Sequence, residues 1–148
     1  MSETGWVTVF RGPKKPFEFR EFPVPDPAPG DILVKVRMAN VCGSDLHAWR
    51  GEYDISRGQV EPYCLSMGHE MTGEIAALGE GVTHDAAGRP LSKGDRVAYQ
   101  YFCPCGTCRS CLRGTTPRCA NGLRHRYPPT EYPHFNAAYG QYYYLRRG

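Results

Sequence analysis

The sequence predicts a mainly β domain, an antiparallel sheet or barrel with short helices and one cysteine-rich lobe. Thirteen prolines and seventeen glycines punctuate the 148 residues. The segments between them are short and rich in β-branched and aromatic side chains, and only one stretch has helical character. A chain of this length builds one domain with a sizeable core and is marginal for two. Hydrophobic residues at 41% and charged residues at 22% exclude wholesale disorder.

In chain order, Trp6–Phe10 reads as a strand, as do Phe17–Phe22 and Ile32–Met38, where Ile32, Val34 and Val36 alternate with other residues. Pro23, Pro25, Pro27, Pro29 and Gly30 make a stiff turn between the last two. A turn or two of helix is expected around Cys42–Trp49. Glu74–Leu78, Asp95–Gln100 and Gln141–Leu145 are the remaining strands. The segment 124–136 interleaves prolines with Tyr127, Tyr132, His134 and Phe135, which sustains neither a helix nor a central strand. It is a loop that either lines a cleft or packs over the core.

Eighteen basic residues against fifteen acidic ones leave a net charge of +3, too small to point to nucleic acid. No apolar run approaches the ~20 residues that span a bilayer. Met1–Arg11 lacks the charged start and apolar stretch of a secretory signal. A soluble, cytoplasmic protein is expected.

Five of the seven cysteines fall in one short stretch. In a reducing compartment such thiols read as metal ligands before disulfides. Cys105, Cys108 and Cys111 are each three residues apart, and Cys119 follows after seven more. Four thiolates at this spacing suit one tetrahedral ion, and a closed structural zinc is the expected occupant. Cys103 is the spare, and Cys64 reads as core. An iron–sulfur cluster is disfavoured by the long final gap and the absence of a proline after Cys119. A nucleic-acid zinc module would use the nearby Arg109, Arg113, Arg118, Arg124 and Arg126, but no basic helix or stacking platform accompanies them.

A second constellation is denser in chemistry. Cys42, Ser44, Asp45 and His47 lie within six residues, and Gly68-His69-Glu70 follows. A Cys and a His from separate segments, with one further ligand, would build a zinc whose fourth position stays open as a Lewis acid. Ser44 is placed to take an alcohol's proton and His47 to carry it toward solvent. Asp45 is suited to accept the second ring N–H of His69. Glu70 either approaches the metal or stays outside it.

The run Gly68-His69-Glu70, then Gly73, Gly79 and Val82, resembles the signature of zinc-containing alcohol dehydrogenases of the medium-chain dehydrogenase/reductase superfamily. Cys42–His47, Gly94–Val97, the four-cysteine lobe and Tyr139–Leu145 follow that family's order. The resemblance implies a GroES-like, partly open β-barrel. It implies catalytic zinc on Cys42 and His69, a proton relay through Ser44 and His47, and structural zinc on Cys105, Cys108, Cys111 and Cys119. It further implies hydride transfer between a small-molecule alcohol or polyol and NAD or NADP, and a full-length protein that is a homo-oligomer. No nucleic-acid or membrane partner is expected. Gly43 stands where some members carry a basic residue near the cofactor phosphates, and Thr83–Lys93 reads as a surface hairpin longer than usual.

No G-x-G-x-x-G fingerprint occurs in residues 1–148. In the family the Rossmann domain and a third catalytic ligand come later in the chain. The sequence is therefore expected to be a catalytic domain, inactive alone, whose Cys42/His69 site is empty, weakly filled, or completed by water or Glu70. The rival expectation is a stand-alone structural-zinc binding module without catalysis.

Overall fold

The computed structural model describes residues 3–52, 54–55, 64–121 and 127–146. Arg124 and Arg126, with the start of the 124–136 segment, lie outside these. Six strands are formed: β1 Thr4–Val9, β2 Glu18–Pro23, β3 Ile32–Ala39, β4 Met71–Leu78, β5 Arg96–Ala98 and β6 Tyr142–Leu145. Helix α1 spans Gly43–Arg50, α2 is the short Arg109–Leu112, and a 3₁₀ turn covers Thr116–Arg118.

β1 and β2 pair as an antiparallel ribbon, and the other four form an antiparallel sheet in the order β5-β4-β3-β6. The chain entering β6 stitches the two together. Thr8 N–H donates to Tyr139 O (2.8 Å), Gln141 N–H donates to Trp6 O (3.0 Å), and Val7 bridges Gly140. The β3–β4 ladder is interrupted by register shifts at Leu33/Val34 and Val36/Met38, irregularities of the kind that bend a strand. The outcome is a mainly β, partly open barrel with few short helices, and among the described residues it does not close.

Alternation along β6 explains its place. Tyr142 and Tyr144 pack with Val7, Val9, Leu33 and Phe135, while Tyr143 points the other way onto Val34, Met71 and Ala138. A strand buried on both faces leaves three tyrosine rings out of water, so β6 joins the two halves of the core. A third cluster, Phe10, Ala48 and Met67, seats α1.

All six strands differ from the sequence expectation at one end or both, most by a residue or two, and the differences at β4 and β5 have a visible cause. β4 begins at Met71, three residues before Glu74, because Gly73 conceals a strand in the sequence. A Cβ there would lie 2.4 Å from Lys35 O, so only glycine lets the two strands approach. β5 is shorter than Asp95–Gln100, since Tyr99 turns inward against Tyr143 (ring centroids 5.1 Å apart) and leaves the ladder. Residues 83–91 form the expected hairpin. Asp85 accepts from the amides of Ala87 and Arg89 and from Arg89 Nε, and these bonds, the Arg89 amide first, hold its carboxyl below the usual range.

Gly79 donates its N–H to Asp31 O (2.8 Å), and a Cβ there would stand 1.9 Å from Ala28 O. Gly79→Ala is expected to cost at least about 3 kcal/mol, because backbone has no rotamer to yield. Gly88→Ala, at φ +78° but facing open space, should cost only about 1 kcal/mol. Urea unfolding of the two variants tests the contrast; equal losses would contradict the close approach.

Candidate metal centres

The helix α1 exists to aim its own first turn. Cys42 is the N-cap, and the Asp45 carboxylate reaches back to accept from Cys42 N–H (2.9 Å), which satisfies an otherwise orphaned donor. At the other end Gly51 adopts the left-handed conformation (φ +77°) and donates its N–H to Ala48 O. Asp45 is only 7% exposed, and Tyr139 donates its hydroxyl to the same Oδ2 (3.0 Å). Burial, and then the adjacent Asp45 carboxylate, push the Tyr139 phenol upward, so it stays a donor.

The second segment arrives from β4. Asn40 N–H donates to Glu70 O (3.0 Å), which ties it to the end of β3. His69 directs Nδ1 toward Asp45 Oδ1 at 3.6 Å, a contact longer than a hydrogen bond. Ser44 Oγ stands 3.4 Å from His69 Nε2. One ligand atom each from Cys42, His69 and Glu70 lie within 4.8 Å of one another. A soft thiolate, an imidazole and a carboxylate form a donor set for zinc that leaves one tetrahedral vertex free.

A cavity of about 280 Å³ opens beside this cluster, lined among others by Ser44, His69, Tyr101 and Met67. Tyr101 stands edge-on to His69, with centroids 5.4 Å apart. The described part of the proline-aromatic segment does both jobs open to it in the sequence: Pro129, Pro133 and Phe135 are buried, while Tyr127 and Asn136 line the cavity. His47 lies elsewhere. It is on the outer side of α1, 53% exposed at its side chain, with Nδ1 paired to the Glu52 carboxylate. That pairing holds Glu52 below the ordinary carboxylate range.

The four sulfurs of Cys105, Cys108, Cys111 and Cys119 also lie within 4.8 Å of one another, and Cys103 is outside the group. Their separations are 4.0 Å (Cys105–Cys111), 3.6 Å (Cys108–Cys111) and 3.8 Å (Cys108–Cys119). Four sulfurs at ~2.3 Å from one central ion would be about 3.8 Å apart, so the donors already have the dimensions of a zinc tetrahedron. Cys108 N–H donates to Cys105 Sγ and Cys105 N–H to Cys119 Sγ, both at 3.3 Å. The Thr107 hydroxyl, then the Thr107 and Cys108 amides, bring Cys105 down to about 5. Burial, then the neighbouring thiols, push Cys111 up to about 12. Four sulfurs this close do not all ionise without a cation among them. Cys64 is partly buried against the core, as expected.

Two residues of the first centre escape a sequence reading. Tyr139 reads there as part of a strand, and Tyr101 stands in no motif. Only the fold brings them to Asp45 and His69.

The fold defines a class, the GroES-like domain of medium-chain dehydrogenases/reductases. Residues 28–147 match the alcohol dehydrogenase GroES-like domain, and the chain belongs to that family. An acryloyl-coenzyme A reductase from Metallosphaera sedula is 38% identical over 117 residues, 79% of this chain and 32% of the relative. A zinc-type alcohol dehydrogenase B from Aspergillus flavus is 39% identical over 118 residues, 79% of this chain and 24% of the relative. The crystal structure of an alcohol dehydrogenase from Thermotoga maritima superposes with a TM-score of 0.78 at 28% identity, covering 97% of this chain and 39% of that one. The chain thus spans about a quarter to a third of the length of the curated relatives it matches.

Asp45→Ala removes the acceptor for the Cys42 amide and for the Tyr139 hydroxyl at once. A loss of about 2–4 kcal/mol is expected in denaturant unfolding. A loss below about 0.5 kcal/mol would contradict a carboxylate bound in this way.

Proposed function

We propose that this chain is the catalytic domain of a zinc-dependent alcohol dehydrogenase that oxidises an alcohol or polyol to an aldehyde or ketone. The observation that carries the reading is the convergence of Cys42, His69 and Glu70 within 4.8 Å beside a cavity reached by Ser44 and His69. Bound zinc supplies Lewis acidity, which lets an alcohol hydroxyl ionise near neutral pH, and the oxidation passes hydride to NAD or NADP. No residue of 1–148 is assigned to the nucleotide.

The chain's own side chains have distinct parts. Cys42 and His69 hold the metal, with Glu70 as the nearby oxygen donor. Asp45 faces Nδ1 of the His69 ring and would keep it oriented so that Nε2, the nitrogen beside Ser44, could serve as the metal ligand. Ser44 Oγ, in the cavity wall, would accept the substrate's proton as its own hydroxyl proton passes on toward His47. His47 is one helical turn along α1 on the solvent side and releases that proton outward. Cys105, Cys108, Cys111 and Cys119 hold a second zinc that shapes the lobe and has no open position for substrate. The whole protein acts in the cytoplasm as a homo-oligomer.

In the protein that carries this domain, Cys42→Ser is expected to lower kcat/KM for alcohols by about three orders of magnitude, with the four-cysteine zinc retained. Cys111→Ser should instead strip that zinc and lower the thermal midpoint. Steady-state kinetics with metal analysis checks both. Full turnover in Cys42→Ser would leave the rival reading, a zinc-stabilised binding module, in its place.

A further inference from the structure

We infer that Tyr139 is a positioning residue for the Cys42/His69 centre: it holds the two ligand-bearing segments in one register, so that thiol and imidazole meet at one ion. The inference rests on the proposed metal role of that centre. The two ligands come from separate segments, the first turn of α1 and the chain before β4, and Tyr139 touches both. On the α1 side its hydroxyl lies 3.0 Å from Asp45 Oδ2 and 3.3 Å from Asn40 O. A phenol has one proton, and the shorter, charge-assisted partner takes it. On the other side Tyr139 N–H donates to Met67 O (3.1 Å), and Ala138 N–H donates to Gly68 O (3.1 Å).

The ring itself lies against the backbone of Gly68, the residue before His69. A Cβ on Gly68 would stand 2.6 Å from Tyr139 Cδ1, so the glycine is fixed both by this contact and by its φ of +88°. Tyr139 in turn hangs from β1, whose Thr8 donates to Tyr139 O through both N–H (2.8 Å) and Oγ1 (2.9 Å). Cys42 N–H and the phenol both donate to Oδ2 and anchor that oxygen, which leaves Oδ1 facing His69 Nδ1. Tyr139 is not among the residues that line the cavity, so its influence on the ion passes through Asp45 and Gly68.

Tyr139→Phe keeps the ring on Gly68 and removes only the hydroxyl. The test uses the whole protein that carries this domain, reduced, its four-cysteine lobe filled with one equivalent of zinc, titrated with cobalt(II). A near-ultraviolet thiolate-to-cobalt band that Cys42→Ser abolishes reports the centre without any turnover. Tyr139→Phe is expected to weaken cobalt binding in that band about tenfold, the lower end for groups that orient metal ligands. Tyr142→Phe, which removes a hydroxyl bonded to Glu3 instead, should bind as the wild type does. Equal affinity in Tyr139→Phe and wild type overturns the inference and leaves the metal reading standing. Equal weakening in Tyr142→Phe also overturns it, as a general softening of the core. Absence of a Cys42-dependent band in the wild type ends both. Asp45→Asn removes the charge to which the phenol donates: adding Tyr139→Phe to it is expected to weaken cobalt binding no further, and a second tenfold loss overturns the inference.

Discussion

The buried carboxylate of Asp45 is the constraint around which the first centre is assembled. A charge with so little contact with water persists only where hydrogen-bond donors replace the lost hydration. The Cys42 amide and the Tyr139 hydroxyl do so, and the His69 ring faces the remaining oxygen. One group thereby caps a helix, places the residue at its N-cap and sets the tilt of an imidazole from another segment. Because the three contacts come from three parts of the chain, the helix cannot shift without disturbing the rest.

The cysteine lobe follows a different logic. Neither α2 nor the 3₁₀ turn buries a residue, and Cys119 is the lobe's one buried hydrophobic side chain among those described. A segment with so little apolar surface to hide has no hydrophobic reason to stay folded. Sulfur geometry takes over that task. Amides aimed at Cys105 and Cys119 stabilise negative sulfur before any cation arrives, and the near-tetrahedral separations mean little rearrangement on binding. The lobe is organised by a point of charge, whereas the barrel is organised by area.

The two schemes meet around the cavity. Its walls come from α1, from the chain before β4, and from the proline-aromatic segment, whose buried prolines and Phe135 fix Tyr127 and Asn136 in place. His69, Tyr101 and Tyr127 contribute rings to walls otherwise made of small, aliphatic and polar side chains. Aromatic packing is denser in β6, where successive tyrosines serve both faces of the core.

What the sequence determined by itself was local. Approximate strand positions, the helix at Cys42, the hairpin at 83–91 and the spacing of the four clustered cysteines follow from local pattern and side-chain type, because turn chemistry and ligand intervals are short-range properties. It also carried the proline-aromatic loop, though not which way its rings would face. Tertiary structure alone decided the start of β4, hidden by a glycine that a neighbouring carbonyl requires, and the early end of β5. It alone brought Tyr139 to Asp45 across 94 positions, set Tyr101 against His69 and left His47 on the solvent face. Those outcomes depend on the register of one strand against another, and register is an energy shared among distant residues that no short window of sequence contains.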